Sequence, residues 1–570
     1  MNQLIECVPN FSEGNDMNVI KQITNVIEDV EGIRLIDVDP GKATNRTVVT
    51  FVGAPEKVIE AAFRAVKRAS ELIDMRKHKG AHPRFGGTDV CPLVPVSGIT
   101  MEETVVYAHR LGERIGKELG IPVYCYEFAA TGEKRRNLAS CRSGEYEGLK
   151  EKLSKPDWKP DFGPDKFNDT VAKSGAVAVG ARNFLVAYNV NLNTTSSRRA
   201  NAIAFDIREK GRVKREGGKL TGKVIKDEKG NPVYEPGMLK CVKGIGWYIE
   251  EYGIAQLSFN LTDITVTSVH QVFEAACQRA DARGLRVTGS ELVGVIPLQA
   301  ILDAGKYFLK KQHRSVGISD DEIIKIAVKS LGLDELASFD PKKKIIEYIL
   351  EGDDPKKLVN FTLKKFSEET ASELPAPGGG SVSAYIGALG VALGTMVANL
   401  SAHKRGWDDR WEVFSDWAEK GKRYHDQLIL LVDEDTKAFN AIMDAFGLSK
   451  RTDKEKEVRT KAIQEATRQA IEVPLKVMKL CYESMEVMKA MAEIGNTNSV
   501  SDAGVGALAA RSGVMGAFLN VKINAAGYRD RAYVEKILAE GEALQQKTMD
   551  MEQQILELVN REIGGGMFSF

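Results

Sequence analysis

The chain lacks any excess of charge: its 570 residues carry 79 Lys plus Arg against 79 Asp plus Glu. Without a basic surplus, nothing points to nucleic acid as a partner. Cysteine is sparse, with seven residues and no CxxC pair. An odd, unclustered set excludes a disulfide framework and fits reduced thiols in a cytoplasmic compartment. Histidine is equally scarce, with seven residues and no HExxH or comparable spacing, so the sequence predicts no metal site. The N-terminus, MNQLIECVPNF, has no basic region followed by an apolar core, and no secretory signal is expected. The longest apolar run, Val382 to Leu400, has the length of a membrane span. It is rich in Gly and Ala and contains Ser383 and Asn399, which favours helix packing in a bundle; no membrane association is expected.

What is present is an ordinary globular composition, 43% hydrophobic and 28% charged, at a length that suggests roughly four domains or subdomains. Up to about residue 332 strand and helix signals alternate, which implies sheets covered by helices. Met101 to Leu119 reads as a helix and Pro122 to Phe128 as a strand. Gly175 to Asn193 reads as one long strand with an irregularity at Gly180. Lys243 to Tyr248 and Ala255 to Thr262 read as paired strands, and Lys214 to Lys240 as a polar surface hairpin. Gly352-Asp353-Asp354-Pro355 is a strong breaker. Beyond it the signals are almost all helical, with breaks expected near Leu480 and a kink at Pro474. The expected fold is therefore multidomain: two α/β subdomains, 1–176 and 177–332, a linker 333–355, and an all-α bundle 356–570.

Chemistry concentrates in Lys77 to Pro95, KHKGAHPRFGGTDVCPLVP. A helix, a Gly-rich loop and a strand follow one another there, and rigid flanks position such loops. The loop holds His78 and His82. An imidazole on it can act as general acid or base near neutral pH, although one histidine specifies no reaction and a surface role remains open. Asp37 and Asp39 end a strand nearby, and Arg46 and Arg84 offer guanidinium groups to a carboxylate; surface ion pairs are the alternative.

AHPRFGGTDVCPLVPV, CVPNFSEG at Cys7 to Gly14, and DVDPGKATNRTVVTFVG at Asp37 to Gly53 resemble the formiminotransferase family. The second half resembles formimidoyltetrahydrofolate cyclodeaminases. Together they resemble the bifunctional family of histidine breakdown over nearly the whole chain. The resemblance implies transfer of a formimino group from N-formimino-L-glutamate to tetrahydrofolate. Cyclisation to 5,10-methenyl-tetrahydrofolate with release of ammonia would follow. It implies His82 and Asp39 as catalytic residues in one cleft; Asn10, Asn45, Arg46 and Arg84 are candidate substrate-binding residues beside them. Gly163, Pro164, Asp165, Lys166, Phe167 and Gly175 fall in its folate segment, and Arg182 and Asn189 follow. The co-substrate would be polyglutamylated tetrahydrofolate, held by its tail and passed between the halves of a homo-oligomer assembled through the helical and transferase domains. A formyl donor with a methenyl-tetrahydrofolate cyclohydrolase half, or a non-catalytic folate scaffold, are the rival readings.

In the helical half, Pro377, Gly378, Gly379, Gly380 and Ser381 can present backbone N–H groups to an anion at a helix N-terminus; a plain helix breaker is the alternative. Asp433 and Asp435, two residues apart, point to different helix faces and read alone as a solvated acidic patch. The resemblance selects Asp435 as the catalytic carboxylate. Asn496 and Asp502 border a polar loop, as helix caps or ligand contacts.

Overall fold

The structure, a computed structural model, describes residues 3–41, 45–79, 84–218, 221–250, 252–351 and 357–566. It divides into two compact units: Met1–Ile301 with Leu331–Gly352, and Leu302–Ser330 with Asp353–Phe570.

The first unit contains two main sheets. β1 (Leu4–Cys7), β2 (Asn10–Phe11), β3 (Ile33–Gly41), β4 (Arg46–Gly53), β5 (Thr88–Ser97), β6 (Val123–Glu127) and β7 (Val177–Ala181) form a seven-stranded sheet. β1 and β2 both lie between β4 and β5, with β3 outside β4. β5, β7 and β6 run parallel. Alternate residues Ile5, Cys7, Leu93, Cys91, Cys125 and Val179 pack with Ile23, Val58, Ala62 and Leu111 of the helices Met17–Glu28, Pro55–Leu72 and Met101–Arg114, as the period of two requires. Thr100 and Glu103 form a capping box that starts the last of these helices.

β8 (Val186–Leu192) opens the second sheet. β9 (Arg212–Val213) and β10 (Tyr234–Glu235) pair around the polar insertion, which is a hairpin as expected. β11 (Val242–Ile249), β12 (Ile254–Leu261) and β13 (Val287–Val293) complete an antiparallel sheet in the order β11-β12-β8-β13. The helices Ser197–Ile207 and Val269–Asp281 pack against it.

Three expectations need correction. The strand expected over Gly175–Asn193 is two strands in two sheets, β7 and β8, so the first sheet extends past residue 176. Both strands are almost wholly buried, and the polar Arg182-Asn183 pair between them reads as readily as an irregularity within one strand as a change of sheet. The segment 333–355 is not a free connection over its described part. Ile345 is buried and bridges in parallel to Ile296, and Leu331–Gly352 belongs to the first unit. Conversely, Leu302–Ser330 joins the helical unit, where Asn399 Nδ2 donates to the Gly317 carbonyl at 2.8 Å. Helical periodicity marks a buried face but not the core that buries it.

The helical unit is built on the helices Gly379–Ala402, Trp411–Gly447, Asp453–Ile494, Val500–Ala525 and Arg531–Gly566. The first of them packs against the next three. The Asp453–Ile494 helix runs unbroken through both expected breaks. Pro474 is buried beside Ile471, Leu475 and Met478, so core packing offsets the hydrogen bond that proline cannot make.

Candidate functional sites

In the first unit the flanks of the histidine loop are fastened on all sides. Asn45, held at φ +49°, accepts from Gly14 N at 2.9 Å and from Asn15 Nδ2 at 2.8 Å. Its Nδ2 donates to the Lys79 carbonyl at 2.8 Å, and its own carbonyl meets His78 Nε2 at 2.9 Å. Arg84 donates to the carbonyls of Met75 and His78, pairs with Glu147 and lies over the Tyr146 ring. Arg46 donates to Asn10 Oδ1 and sits 3.4 Å from Asp89, which Arg142 also pairs at 2.9 Å. Both arginines expected to clamp a substrate carboxylate are thus engaged by the chain's own groups, and their observed work is to fix the loop and the strand edge. His82 lies outside the described residues.

Asp39 is exposed on β3 opposite Val48, which is itself opposite Asn10 on β2, and Asn10 is opposite Val90 on β5. Directly opposed residues share a face, so Asp39 and Asn10 stand on one face about 10 Å apart, two strand spacings. Gly175, at φ +68°, backs onto Gly86: a Cβ there would come 2.5 Å from the Gly86 Cα. Gly163, at φ +85°, turns against the Ile121 carbonyl just before β6. The adjacent Phe167 packs with the cluster of Phe85 and Tyr124, Asp165 pairs with Lys159 at 3.3 Å, and Pro164 and Lys166 complete this surface turn. These segments and the loop flanks therefore gather where β5, β6 and β7 begin.

Arg182 and Asn189 are placed elsewhere. Arg182 follows the far end of β7, beside Glu6 and Glu127. Asn189, on the second sheet, donates to Glu291 at 3.1 Å, and next to it Asn191 bonds Glu335 at 2.6 Å and Gln256 at 2.8 Å. Sequence reasoning missed Glu6, Asp89, Asn191, Gln256, Glu291 and Glu335. Glu6 is 5% exposed, and burial raises its carboxyl to about 7 although Arg182 pulls the other way. A charged residue at an alternating strand position, LIEC, was the available signal, but alternation alone assigns it to solvent.

In the helical unit the expected pieces meet. Asp435, on the Trp411–Gly447 helix, accepts from Ser381 N at 2.9 Å and Ser381 Oγ at 3.1 Å, at the start of the Gly379–Ala402 helix. Ser381 Oγ also reaches the Val432 carbonyl at 2.8 Å. A Cβ on Gly380 would come 2.1 Å from Asp435 Oδ1, so only glycine leaves room for this carboxylate. Burial raises the Asp435 carboxyl, and the two Ser381 hydrogen bonds lower it again in part. The Ser381 N–H expected to help hold a ligand anion is thus turned to the chain's own carboxylate. Asp433 faces away and accepts from Leu358 N at 2.7 Å. A half-buried carboxyl raised by burial and held by two hydrogen bonds is placed to exchange a proton with a bound substrate.

Comparison with known proteins supports both halves. Residues 4–182 match the formiminotransferase domain, N-terminal subdomain; residues 187–351 match the formiminotransferase domain; residues 362–543 match formiminotransferase-cyclodeaminase. The chain is 44% identical over 537 residues to formimidoyltransferase-cyclodeaminase of Rattus norvegicus, covering 94% of this chain and 95% of that one. The chain belongs to the formimidoyltransferase-cyclodeaminase family. Single-activity proteins resemble parts of it. Glutamate formimidoyltransferase of Streptococcus pyogenes serotype M1 is 41% identical over 54% of this chain and 94% of its own. Methenyltetrahydrofolate cyclohydrolase of Methylorubrum extorquens is 39% identical over 36% of this chain and 98% of its own.

Within the stretch that matches formiminotransferase-cyclodeaminase, Asn496 and Asp502 do not join Asp435. Asn496 N donates to Ser401 Oγ at 2.8 Å, at the far end of the helix that begins beside Ser381. Twenty residues of helix set those ends about 30 Å apart. Asn496 Oδ1 caps the short Thr497–Ser499 turn, and Asp502 lies in the first turn of the helix that follows.

Proposed function

We infer that this chain is a bifunctional folate enzyme of histidine degradation. Its first half moves the formimino group from N-formimino-L-glutamate to N5 of tetrahydrofolate. Its second half closes 5-formimino-tetrahydrofolate to 5,10-methenyl-tetrahydrofolate and releases ammonia. The observation that carries the second half is Asp435 seated on Ser381 at a helix start that tolerates no side chain at Gly380.

In the transfer, N5 attacks the amidine carbon and loses a proton, and the departing glutamate nitrogen gains one. His82 is assigned both steps, with Asp39 steadying the imidazolium. The Asn45 and Arg84 ties to both sides of its loop support that assignment. In the cyclisation, N10 attacks the formiminium carbon, the C–N bond to the amine breaks, and the N10 proton leaves with the amine as ammonia. Asp435 takes that proton and returns it. Neither route calls for a metal ion.

The test is one coupled assay with formiminoglutamate and tetrahydrofolate, read as methenyl absorbance and ammonia. His82→Ala abolishes transfer and spares deamination of supplied intermediate; Asp435→Asn does the reverse. Methenyl turnover without ammonia would favour the cyclohydrolase reading that the Methylorubrum relative suggests. The folate is proposed to carry a polyglutamate tail, since consecutive steps joined in one chain benefit from a held intermediate; a lower KM for the pentaglutamate than for the monoglutamate checks it. A cytoplasmic site of action is supported by seven free cysteines, Cys7 and Cys91 lying 3.7 Å apart as thiols. Association into a homo-oligomer through the helical unit is supported by an apolar face on two neighbouring helices.

A further inference from the structure

Beside Asp435 the helical unit holds a hollow that no step above uses. Its volume is about 90 Å³, and Leu358, Phe361, Phe366, Tyr385, Ile429 and Val432 line it. Its walls belong to the same helix turns as the Asp435 site. Tyr385 is one turn beyond Ser381 on one helix, and Val432 and Ile429 lie one and two turns before Asp435 on the other, in successive steps of three. Ser381 Oγ bonds both the Val432 carbonyl and Asp435, so the wall of the hollow and the carboxylate share one hydroxyl. The third wall is a strap. Asp433 holds Leu358 N at 2.7 Å, and Phe361 and Phe366 follow it over the hollow. The Phe366 and Tyr385 rings stand 5.4 Å apart and tilted by 49°.

What fills this space is constrained by the reaction. N10 bears a p-aminobenzoyl ring directly, so a substrate with N10 at Asp435 must place that ring one bond from the nitrogen that meets the carboxylate. The pterin would bring N–H and C=O groups that need partners when buried, whereas these walls are hydrocarbon apart from one phenol. A dry cavity of about 150 Å³ takes a benzene ring, and a smaller hollow with an open mouth takes a ring whose edge stays at the rim. Leu363, which also lines it, is 73% exposed. We propose that this hollow is the p-aminobenzoyl pocket of the cyclodeaminase half, Phe366 and Tyr385 gripping the ring and so positioning N10 at Asp435. The proposal rests on Asp435 as the proton carrier.

The experiment measures deamination of 5-formimino-tetrahydrofolate by the full-length chain and by Phe366→Ala, Tyr385→Ala and the milder Phe366→Leu. The expected result is a KM raised about tenfold in the alanine variants, with kcat within threefold. A second substrate carries chlorines at the 3′ and 5′ positions of the p-aminobenzoyl ring. The unmodified enzyme should turn it over poorly, and Phe366→Ala should narrow that discrimination at least fivefold. The chlorines' effect on N10 itself cancels between variants. A KM within twofold of the parent in folded variants, a fall in kcat alone, or unchanged discrimination overturns the pocket. Should an alanine variant melt early, Phe366→Leu and the ring-substituent ratio decide. Full turnover by Asp435→Asn would instead remove the proton carrier, and the ring-substituent ratio would still report where the ring lies.

Discussion

Glu6 and Asp435 are both carboxyls raised by burial, yet their surroundings give them different consequences. Glu6 goes from an ordinary value of 4.5 to about 7, with Arg182 the opposing influence. The fold therefore favours its protonated form. Between pH 4.5 and 7 the native state binds more protons than the unfolded chain, so stability falls as pH rises through that window and stays low above it. Glu6→Gln removes the penalty. It should stabilise the first unit by about 3 kcal/mol at pH 8 and much less at pH 5, read as urea unfolding midpoints at the two pH values. An equal effect at both would mean Glu6 is ionised in the fold. Asp435 differs because Ser381 gives it two hydrogen bonds to the charged form. Ser381→Ala deletes one of them, and the carboxyl should rise further. The acid limb of the deaminase kcat/KM profile then moves to higher pH while the transferase profile stays fixed. A limb that stays put would show that Asp435 is not the titrating group.

The element that organises the helical unit is the Gly379–Ala402 helix, which packs closely against Val500–Ala525. Their contact depends on missing side chains: a Cβ on Gly390 would come 2.7 Å from the Gly506 carbonyl, and one on Gly506 would come 2.6 Å from the Gly390 carbonyl. Gly390→Val should force the helices apart and cost on the order of 1–3 kcal/mol, seen as an earlier melting transition, with deamination falling before transfer does. The sequence made this element legible, because its small residues and mean hydropathy exclude a solvated helix. The structure adds the helix starts, where Thr452 and Glu455 form the box that opens Asp453–Ile494. The sequence could not show that β7 and β8 part company, because asparagines interrupt β8 as much as Arg182-Asn183 interrupts the junction, or that Leu302–Ser330 belongs with the helical unit, because helical periodicity does not name the core that buries it. Among candidate residues, Asp435 and the glycine segment came together because a family pattern named both. Glu6 and Asp89 stayed hidden because strand alternation treats every polar position alike.

For the molecule as a whole, the same two helices carry an outward face that one copy leaves uncovered. Val382, Ile386, Leu389, Leu393, Met396 and Leu400 recur at alternating spacings of four and three, the seam spacing of helices that pack on one another. Leu389 is 48% exposed, Met396 38% and Leu400 46%, and on the neighbouring helix Val505 is 53%, Leu508 43%, Leu519 67% and Ile523 73%. All seven are large apolar side chains open to solvent on the two helices, and a stable interface buries ~800 Å² per partner. An exposed apolar face of this kind fits the association proposed above, and a seam carried by two adjacent helices suits a second copy related by a two-fold axis. Antiparallel pairing of the seams would set the Asn496 end of one copy beside the Ser381 end of the other, reuniting groups that one copy holds about 30 Å apart. Leu519→Asp with Ile523→Asp puts two charges on this face without touching the buried core. Sedimentation should then show a smaller assembly with unchanged helical circular dichroism. Deamination should fall at least tenfold at low protein concentration and recover as concentration rises, while transfer per chain is retained. An unchanged assembly would place the subunit contact elsewhere, and a smaller assembly with full deamination would show that each copy holds a complete cyclodeaminase site.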